Sequence, residues 1–350
     1  MGGNALKIVK TRRYSKKEYE KILLEVGSIL TTMDVVFNIP ESYGAKESFG
    51  NLDVLILSES LKNNILSIIK DKYSPNEIHH NGNVYSFDYK EFQIDFIVVG
   101  EENWGTSYHY FSYNDVSMLI GRIAHQMGFR YGHYGLKLVY RHEDGGRKFS
   151  KIISKDMFDT LRFLGFDTDR YTEGFYNLTD IFEYVVDSKY FNPKIFQYEM
   201  LNRQNKTRNK KRVNYAGFLE FVDKYDFKDR NFYEYQDKDY YVKKAEDYFG
   251  IDIINQIKTW KEIVEKDKMV SAKFNGKITM ERYPDLKGKE LGSSIIKFKN
   301  YIKSFLKTKA DEQNEVFEPD FLFKEWIIES NVEHIFSHFS NINNLKKTAE

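Results

Sequence analysis

The 350-residue sequence contains no cysteine. That excludes a disulfide framework, a zinc knuckle, an iron–sulfur cluster and a thiol nucleophile. Long apolar runs are missing too. No stretch approaches the roughly 18 apolar residues of a membrane-spanning helix, and 30% of the residues are charged. No membrane partner is therefore expected. The opening MGGNALKIVKTRRYSKKEYE lacks the apolar core of a signal peptide, so a cytoplasmic location is expected, the host cytoplasm if the source is viral. There are only 5 prolines, no Pro- or Gly/Ser-rich linker divides the chain, and no long repeat is visible. An excess of one charge is also absent, with 53 Lys+Arg against 52 Asp+Glu. This excludes little, because binding depends on where charges sit rather than on their sum.

What is present is aromatic. The chain holds 28 Phe and 26 Tyr, with 41% hydrophobic residues, too many for a disordered chain. The length predicts two or three domains. Abundant Lys, Asn, Ile, Tyr and Phe fit an AT-rich, phage-like composition.

Hydrophobic spacing separates two styles of sequence. Up to about 140, short apolar runs alternate with helical stretches. Ser15 to Thr32 predicts a helix, because Ser15 can cap it, Glu18 follows three residues later, and Tyr19, Ile22, Leu23, Val26 and Leu30 share a face. Strands are predicted at Met33–Phe37, Leu52–Leu57, Val84–Tyr89, Phe92–Val99 and Leu136–Tyr140, and helices at Leu61–Ile69 and Asn114–Met127. From about 155 the spacing is mostly helical. The expected class is α+β: a mixed sheet with helices over 1–145, then a helical substrate-binding domain over 146–350.

The segment from Glu41 to Ile56 is the most informative. A Gly-containing loop leads into a strand on which Asn51 and Asp53 are two apart, so their side chains point the same way. Asp95 is the sole charge in a second apolar strand, Phe92–Val99. An acid inside a buried strand is costly unless it is paired or binds a metal. Neighbouring strands would bring Asp53 and Asp95 together, and converging oxygens suit Mg²⁺ or Mn²⁺. Such a site serves phosphoryl transfer, in which two metals about 4 Å apart activate a 3′-hydroxyl and stabilise the leaving pyrophosphate. Ser42 to Gly50 can offer backbone N–H groups and Lys46 to a triphosphate.

These residues resemble the palm of the DNA polymerase beta-like nucleotidyltransferase superfamily, in which three aspartates bind two Mg²⁺. The resemblance places Asn51, Asp53 and Asp95 in those positions. It places Ser42, with Tyr43 and Lys46 beside it, against the phosphates, although the usual Gly-Ser pair is here Glu41-Ser42. Tyr108–Asn114, Arg122, Gly128-Phe129 and His133–Leu136 are similar to a family X polymerase. That similarity gives Tyr110, Phe111 and Arg122 to the incoming NTP or dNTP. The departure is Asn51: an amide cannot supply the bridging negative charge that two divalent ions need. It is an engineered substitution, a natural variant that has lost catalysis, or a sign that another acid serves, Glu47 being nearest.

Asn202 to Arg212 carries six basic residues and no acid, a phosphate-contacting composition through Arg203, Lys206, Arg208, Lys210, Lys211 and Arg212. Further on, Asn275-Gly276-Lys277 and Leu286 to Gly292 resemble an element near the C-terminus of CCA-adding enzymes and bacterial poly(A) polymerases. There Asn275-Gly276 is expected to form a tight turn and Gly288 and Gly292 to permit close approach, with Lys287 and Lys289 near a phosphate. The resemblance implies nucleotide transfer to a nucleic-acid 3′-hydroxyl, RNA or tRNA favoured and DNA an alternative. A catalytically silent nucleic-acid-binding protein on the same fold is the third expectation. His334 and His338 have the spacing of some zinc sites, but Ile335, Phe336 and Phe339 beside them indicate a packed helix.

Overall fold

The computed structural model describes residues 3–113, 115–143, 146–228, 230–313 and 318–345, apart from the side chains of 311–313. Asn114 and the expected domain boundary at 145 lie outside them.

The fold is α+β, with a mixed sheet and a helical C-terminal region. Helix α1 (Lys16–Thr32) starts where the capping box predicts, with Ser15 Oγ accepting from the Glu18 amide and the Glu18 carboxylate taking the Ser15 N–H. Its Ile22, Val26 and Leu30 are buried against one face of a five-stranded sheet. The strands are β2 (Phe37–Asn38), β4 (Asn51–Leu57), β5 (Ile78–Asn81), β6 (Val84–Tyr89) and β7 (Phe92–Val99), in the order β2-β4-β7-β6-β5. A two-residue pair, β1 (Tyr14–Ser15) with β3 (Ser48–Phe49), ties the start of α1 to the loop before β4. Helix α2 (Ile65–Tyr73), capped by Asn64 rather than starting at Leu61, carries the chain from β4 to the β5–β6 hairpin. The run expected as strand at Met33–Phe37 is strand only from Phe37, because Asp34 adopts a left-handed φ of 55° and turns the chain.

β4 and β7 are parallel neighbours, and β7 is buried along nearly its whole length. A parallel strand covered on both faces reads as a continuous apolar run. One face carries Leu52, Val54, Ile56, Ile94 and Phe96 under α1. The opposite face carries Leu55, Ile97 and Val99, on which Trp104, Tyr108 and Phe111 of α3 (Trp104–Phe111) pack. Asn51, Asp53 and Asp95 belong to this second face by alternation.

Helix α4 (Val116–Gln126) precedes a three-stranded antiparallel sheet of β8 (Phe129–Gly132), β9 (Gly135–Arg141) and β10 (Lys148–Ser154). Gly135 turns the β8–β9 hairpin at φ 102°, where a Cβ would lie 2.1 Å from the Ser154 carbonyl oxygen. Helices α5 (Met157–Phe163), α6 (Thr168–Glu173), α7 (Leu178–Val186), α8 (Arg203–Asn209), α9 (Val213–Lys224) and α10 (Lys238–Phe249) follow.

The chain divides into two compact units, 1–141 with 148–254 and 142–147 with 255–350. The division therefore does not fall at 145. Helices α5 to α10 belong with the sheets because they are stitched to them: the Gly44 amide donates to the Phe175 carbonyl, and Arg122 on α4 donates to the Ile195 carbonyl at 2.6 Å. The second unit consists of α11 (Ile254–Lys273), α12 (Gly276–Arg282), α13 (Gly288–Gln313), α14 (Pro319–Glu329) and α15 (Val332–Asn343). They surround a core of Phe274, Tyr283, Phe298, Phe323, Phe336 and Phe339. No helix among the described residues is long and apolar enough to cross a membrane.

Candidate active site

The register of β4 on β7 sets Asp53 directly opposite Asp95 and Asn51 opposite Gln93. The side chains converge. Asn51 Nδ2 donates to Asp53 Oδ1 at 2.8 Å and to Asp95 Oδ2 at 2.7 Å. The network fixes which end of this amide faces the acids, since its oxygen would meet two other acceptors. Gln93 Nε2 donates to both oxygens of Asp95, at 2.9 and 3.0 Å. Burial pushes the Asp53 carboxyl well above its ordinary value, and the facing Asp95 adds to the rise. Asp95 is only 7% exposed, and burial raises it as well. The two carboxyls titrate as a pair that resists losing its last proton.

This gives a signed pH dependence. A carboxyl whose folded pKa is raised holds its proton more tightly when folded, so stability falls as pH climbs from the ordinary carboxyl range toward the raised value. Asp53→Asn replaces one acid by an amide that can face Asp95 without repulsion. Its melting temperature is expected to exceed the parent's by about 1–2 °C at pH 8 in chelator, about 1 kcal/mol at this size, and to match it at pH 4. Calorimetry at the two pH values checks this.

The donor set passes a test for a hard cation. Two carboxylates already aim at one point, where the Asn51 N–H group stands in for positive charge. Mg²⁺ is commonly held by one or two carboxylates plus phosphate and water, so one ion fits. A second ion needs the bridging charge that Asn51 lacks. Glu47 does not supply it: it is exposed, and its carbonyl takes the Lys16 amide at the far end of the loop. No group of three or more His, Cys, Asp or Glu suited to a metal occurs among the described residues, His334 and His338 included. Those two histidines flank Trp326 instead.

The loop before β4 leans on the acid pair. Lys46 Nζ lies 3.4 Å from Ser42 Oγ and 4.4 Å from the Phe49 ring centroid. Burial brings its pKa down to about 8, against the pull of Asp53. The loop is not the amide cradle expected from sequence. The N–H groups of Gly44 and Ala45 are spent on the Phe175 and Tyr176 carbonyls, and that of Lys46 on Tyr43. Among the described residues the Ser42 and Tyr43 amides have no such partner. Glu41 anchors them from behind. Its carboxylate accepts from Tyr108 Oη at 2.7 Å and Tyr113 Oη at 2.6 Å. Burial, with Glu41 assisting, raises the Tyr108 phenol to about 12.

Tyr110 and Phe111 lie at the end of α3, edge to face at 5.2 Å. Tyr110 also meets Tyr131 at 5.4 Å, and Phe111 meets His133 at 5.6 Å. Both rings are half-buried. Arg122 is not brought to the site: its guanidinium is buried on the Ile195 carbonyl, because α4 turns that face into the helical layer.

The basic segment is helical as far as Asn209, and Lys210 to Arg212 link it to the next helix. Arg203, Gln204, Thr207, Arg208, Lys211 and Arg212, with Asn4, line a cleft of about 870 Å³ that contains four cations and no acid. Arg212 is already matched, 3.0 Å from Asp115 Oδ1, while Asn214 takes the other oxygen at 2.7 Å. Asp115 in turn acts electrostatically on Lys46 and Tyr43, so cleft and acid pair share one neighbourhood. Lys206 is half-buried, and Lys210 reaches toward the Tyr198 ring.

Lys287 and Lys289 lie in the second unit, both exposed at the start of α13. The expected tight turn at Asn275-Gly276 is instead a helix cap, with Asn275 Oδ1 accepting from the Ile278 amide. A Cβ at Gly292 would meet nothing within 4 Å, so no close approach requires that glycine.

Gln93, Glu41, Asp115 and the segment at residues 3–5 carry site geometry that was not anticipated from sequence. For Gln93 a signal exists, since a polar residue two before Asp95 on one strand shares its face. The others act through contacts distant in sequence.

No family model matches the chain, and no curated protein matches it. Among solved structures it is similar to the polymerase beta of Leishmania infantum in a ternary gap complex, at 12% identity with a TM-score of 0.30. That match covers 38% of this chain and 53% of the polymerase chain, about half its length.

Proposed function

We propose that the chain is a nucleotidyltransferase that joins a nucleoside monophosphate from an NTP to the 3′-hydroxyl of a nucleic acid, RNA such as tRNA favoured. The observation that carries this is the opposition of Asp53 and Asp95 across parallel strands, both aimed at the Asn51 amide, with Lys46 beside them. Asp53, Asp95 and residue 51 would hold Mg²⁺ or Mn²⁺. When bound, such an ion favours the ionised 3′-hydroxyl and offsets charge on the phosphates.

The chain's own groups do the rest. The Ser42 and Tyr43 amides and the Lys46 ammonium present positive charge to the triphosphate. Tyr110 and Phe111 offer an aromatic edge for the nucleotide. Arg203, Arg208 and Lys211 face the phosphates of the acceptor strand. The preference for RNA rests on the likeness of the Asn275–Gly292 segment to CCA-adding enzymes and poly(A) polymerases.

One observation favours a second reading, a nucleic-acid-binding protein without transfer. The Asn51 amide satisfies both acids by hydrogen bonding and needs no cation. Labelled NTPs and dNTPs supplied with tRNA, single-stranded RNA or primed DNA separate the possibilities. The Asn51→Asp protein is expected to extend RNA with NTPs. Preference for dNTPs on a templated primer would move the assignment to a small DNA polymerase. Salt-sensitive binding without pyrophosphate release leaves the silent binder.

A further inference from the structure

The amino-terminal segment lies against the acid pair rather than away from it. The Ala5 N–H donates to Gln93 Oε1 at 3.0 Å, and Gln93 Nε2 donates to both Asp95 oxygens. Gln93 is 2% exposed. A backbone N–H can only donate, so it claims the oxygen end of the Gln93 amide and leaves the nitrogen end for the carboxylate. Gly3 lies against Gly50, immediately before Asn51. Its φ is 86°, and a Cβ there would stand 2.1 Å from the Gly50 carbonyl oxygen. Asn4 contributes to the wall of the basic cleft.

The segment is anchored some distance from this chemistry. The amides of Lys7, Ile8 and Val9 all donate to the Glu77 carboxylate, at 2.9, 2.8 and 2.8 Å. Three amides on one carboxylate make a charge-assisted clamp. Further along, the Arg12 amide donates to the Glu91 carbonyl at 2.9 Å, and Arg13 Nε donates to Ser48 Oγ at 2.8 Å. Residues 3–13 are therefore held along their length, with positions 3–5 delivered to the site.

We propose that residues 3–9 are a positioning strap for the active site: Glu77 anchors the strap, the Ala5 amide orients Gln93, and Gln93 sets the direction of the Asp95 carboxylate. Gln93 is a positioning residue, since it acts on the site through Asp95. A carboxylate has about four acceptor positions. With Gln93 bridging both oxygens, Oδ2 keeps a further acceptor position directed at the point that Asn51 now fills, 2.7 Å from Asn51 Nδ2. The strap geometry stands by itself; its effect on cation affinity rests on the metal-site reading above.

Two measurements test it. In the Asn51→Asp protein, Mn²⁺ affinity is read by electron paramagnetic resonance. Gln93→Leu keeps the shape without the amide, and Glu77→Ala cuts the anchor without touching an acid of the site. Both are expected to weaken Mn²⁺ binding, Gln93→Leu by about 10–100-fold, the range seen when a ligand's hydrogen-bonding partner is lost. Affinities within twofold of the parent in both variants overturn the proposal. In the unaltered chain, the Gln93 side-chain NH₂ signal is assigned by its loss in Gln93→Leu. Its hydrogen exchange is expected to speed up at least tenfold in Glu77→Ala, and an unchanged rate overturns the strap. If the Asn51→Asp protein binds no Mn²⁺, the nucleotidyltransferase reading fails, and the exchange measurement alone decides the strap.

Discussion

Asn51→Asp is expected to raise Mg²⁺-dependent nucleotide transfer by at least about 100-fold over the parent chain, the scale on which losing one group that stabilises transition-state charge is felt. The substitution changes one atom's chemistry at the point where the site converges. Asn51 Nδ2 lies 2.8 Å from one carboxylate oxygen and 2.7 Å from another. An aspartate there removes the donor and sets a third acid against two that already hold their protons high. Without a cation the three cannot all be ionised, so the metal-free variant is expected to melt below the parent at pH 8. Mg²⁺ is expected to reverse that loss. At about one hundred times its dissociation constant a ligand adds about 2.7 kcal/mol, or about 4 °C at this chain length. The parent, whose acids are satisfied by an amide, is expected to respond far less. Differential scanning calorimetry with and without Mg²⁺ gives the thermal result, and release of labelled pyrophosphate gives the rate. An Asn51→Asp protein that neither gains stability from Mg²⁺ nor releases pyrophosphate would falsify the three-carboxylate site.

Asp53, Asp95 and Asn51 are legible in the sequence because strand chemistry is local. Period-two alternation assigns their face, and an acid within a run such as Phe92–Val99 stands out by its desolvation cost. The caps at Ser15 and Asn275 are likewise local, although the second starts a helix where a turn was expected. What the sequence conceals is pairing at long range. Arg212 and Asp115 are 97 positions apart, Glu41 and Tyr113 are 72 apart, and Ala5 and Gln93 are 88 apart. Gln93 apart, each of these partners alone gives no sign in the sequence of the contact it makes. Arg122 shows the converse. Its spacing fits a site residue, but its guanidinium is used on a backbone carbonyl in the helical layer. Compactness divides the chain elsewhere for a related reason: a change in periodicity at about 145 marks where helices begin, whereas contacts thin out near 254.

The basic segment makes a quantitative case, because its six charges do not stand in equal positions. Arg203, Arg208 and Lys211 are exposed in the cleft, whereas Arg212 is tied to Asp115 in a pair whose side chains are each 20% exposed. Phosphate contacts on a single strand release counterions and steepen the dependence of log affinity on log salt by about 0.7 each. Replacing Arg203, Arg208 and Lys211 together by Ala is therefore expected to lower the magnitude of that slope by about 2. Between 50 and 200 mM salt the parent should lose about 16-fold more affinity for a single-stranded RNA than the triple variant does. Arg212→Ala is expected to leave the slope unchanged and to cost stability instead, about 1–3 kcal/mol, because Asp115 loses a charged donor in a partly buried place. Lys287→Ala with Lys289→Ala supplies the contrast from the second unit, where a change in slope would extend the footprint beyond the cleft. Fluorescence anisotropy across a salt series gives all three slopes. A triple variant with the parent's slope would remove nucleic acid from the cleft, and with it the acceptor strand from the proposed reaction. A reduced slope places phosphates beside Asn4 and Arg203, the wall that the amino-terminal strap shares with the acid pair.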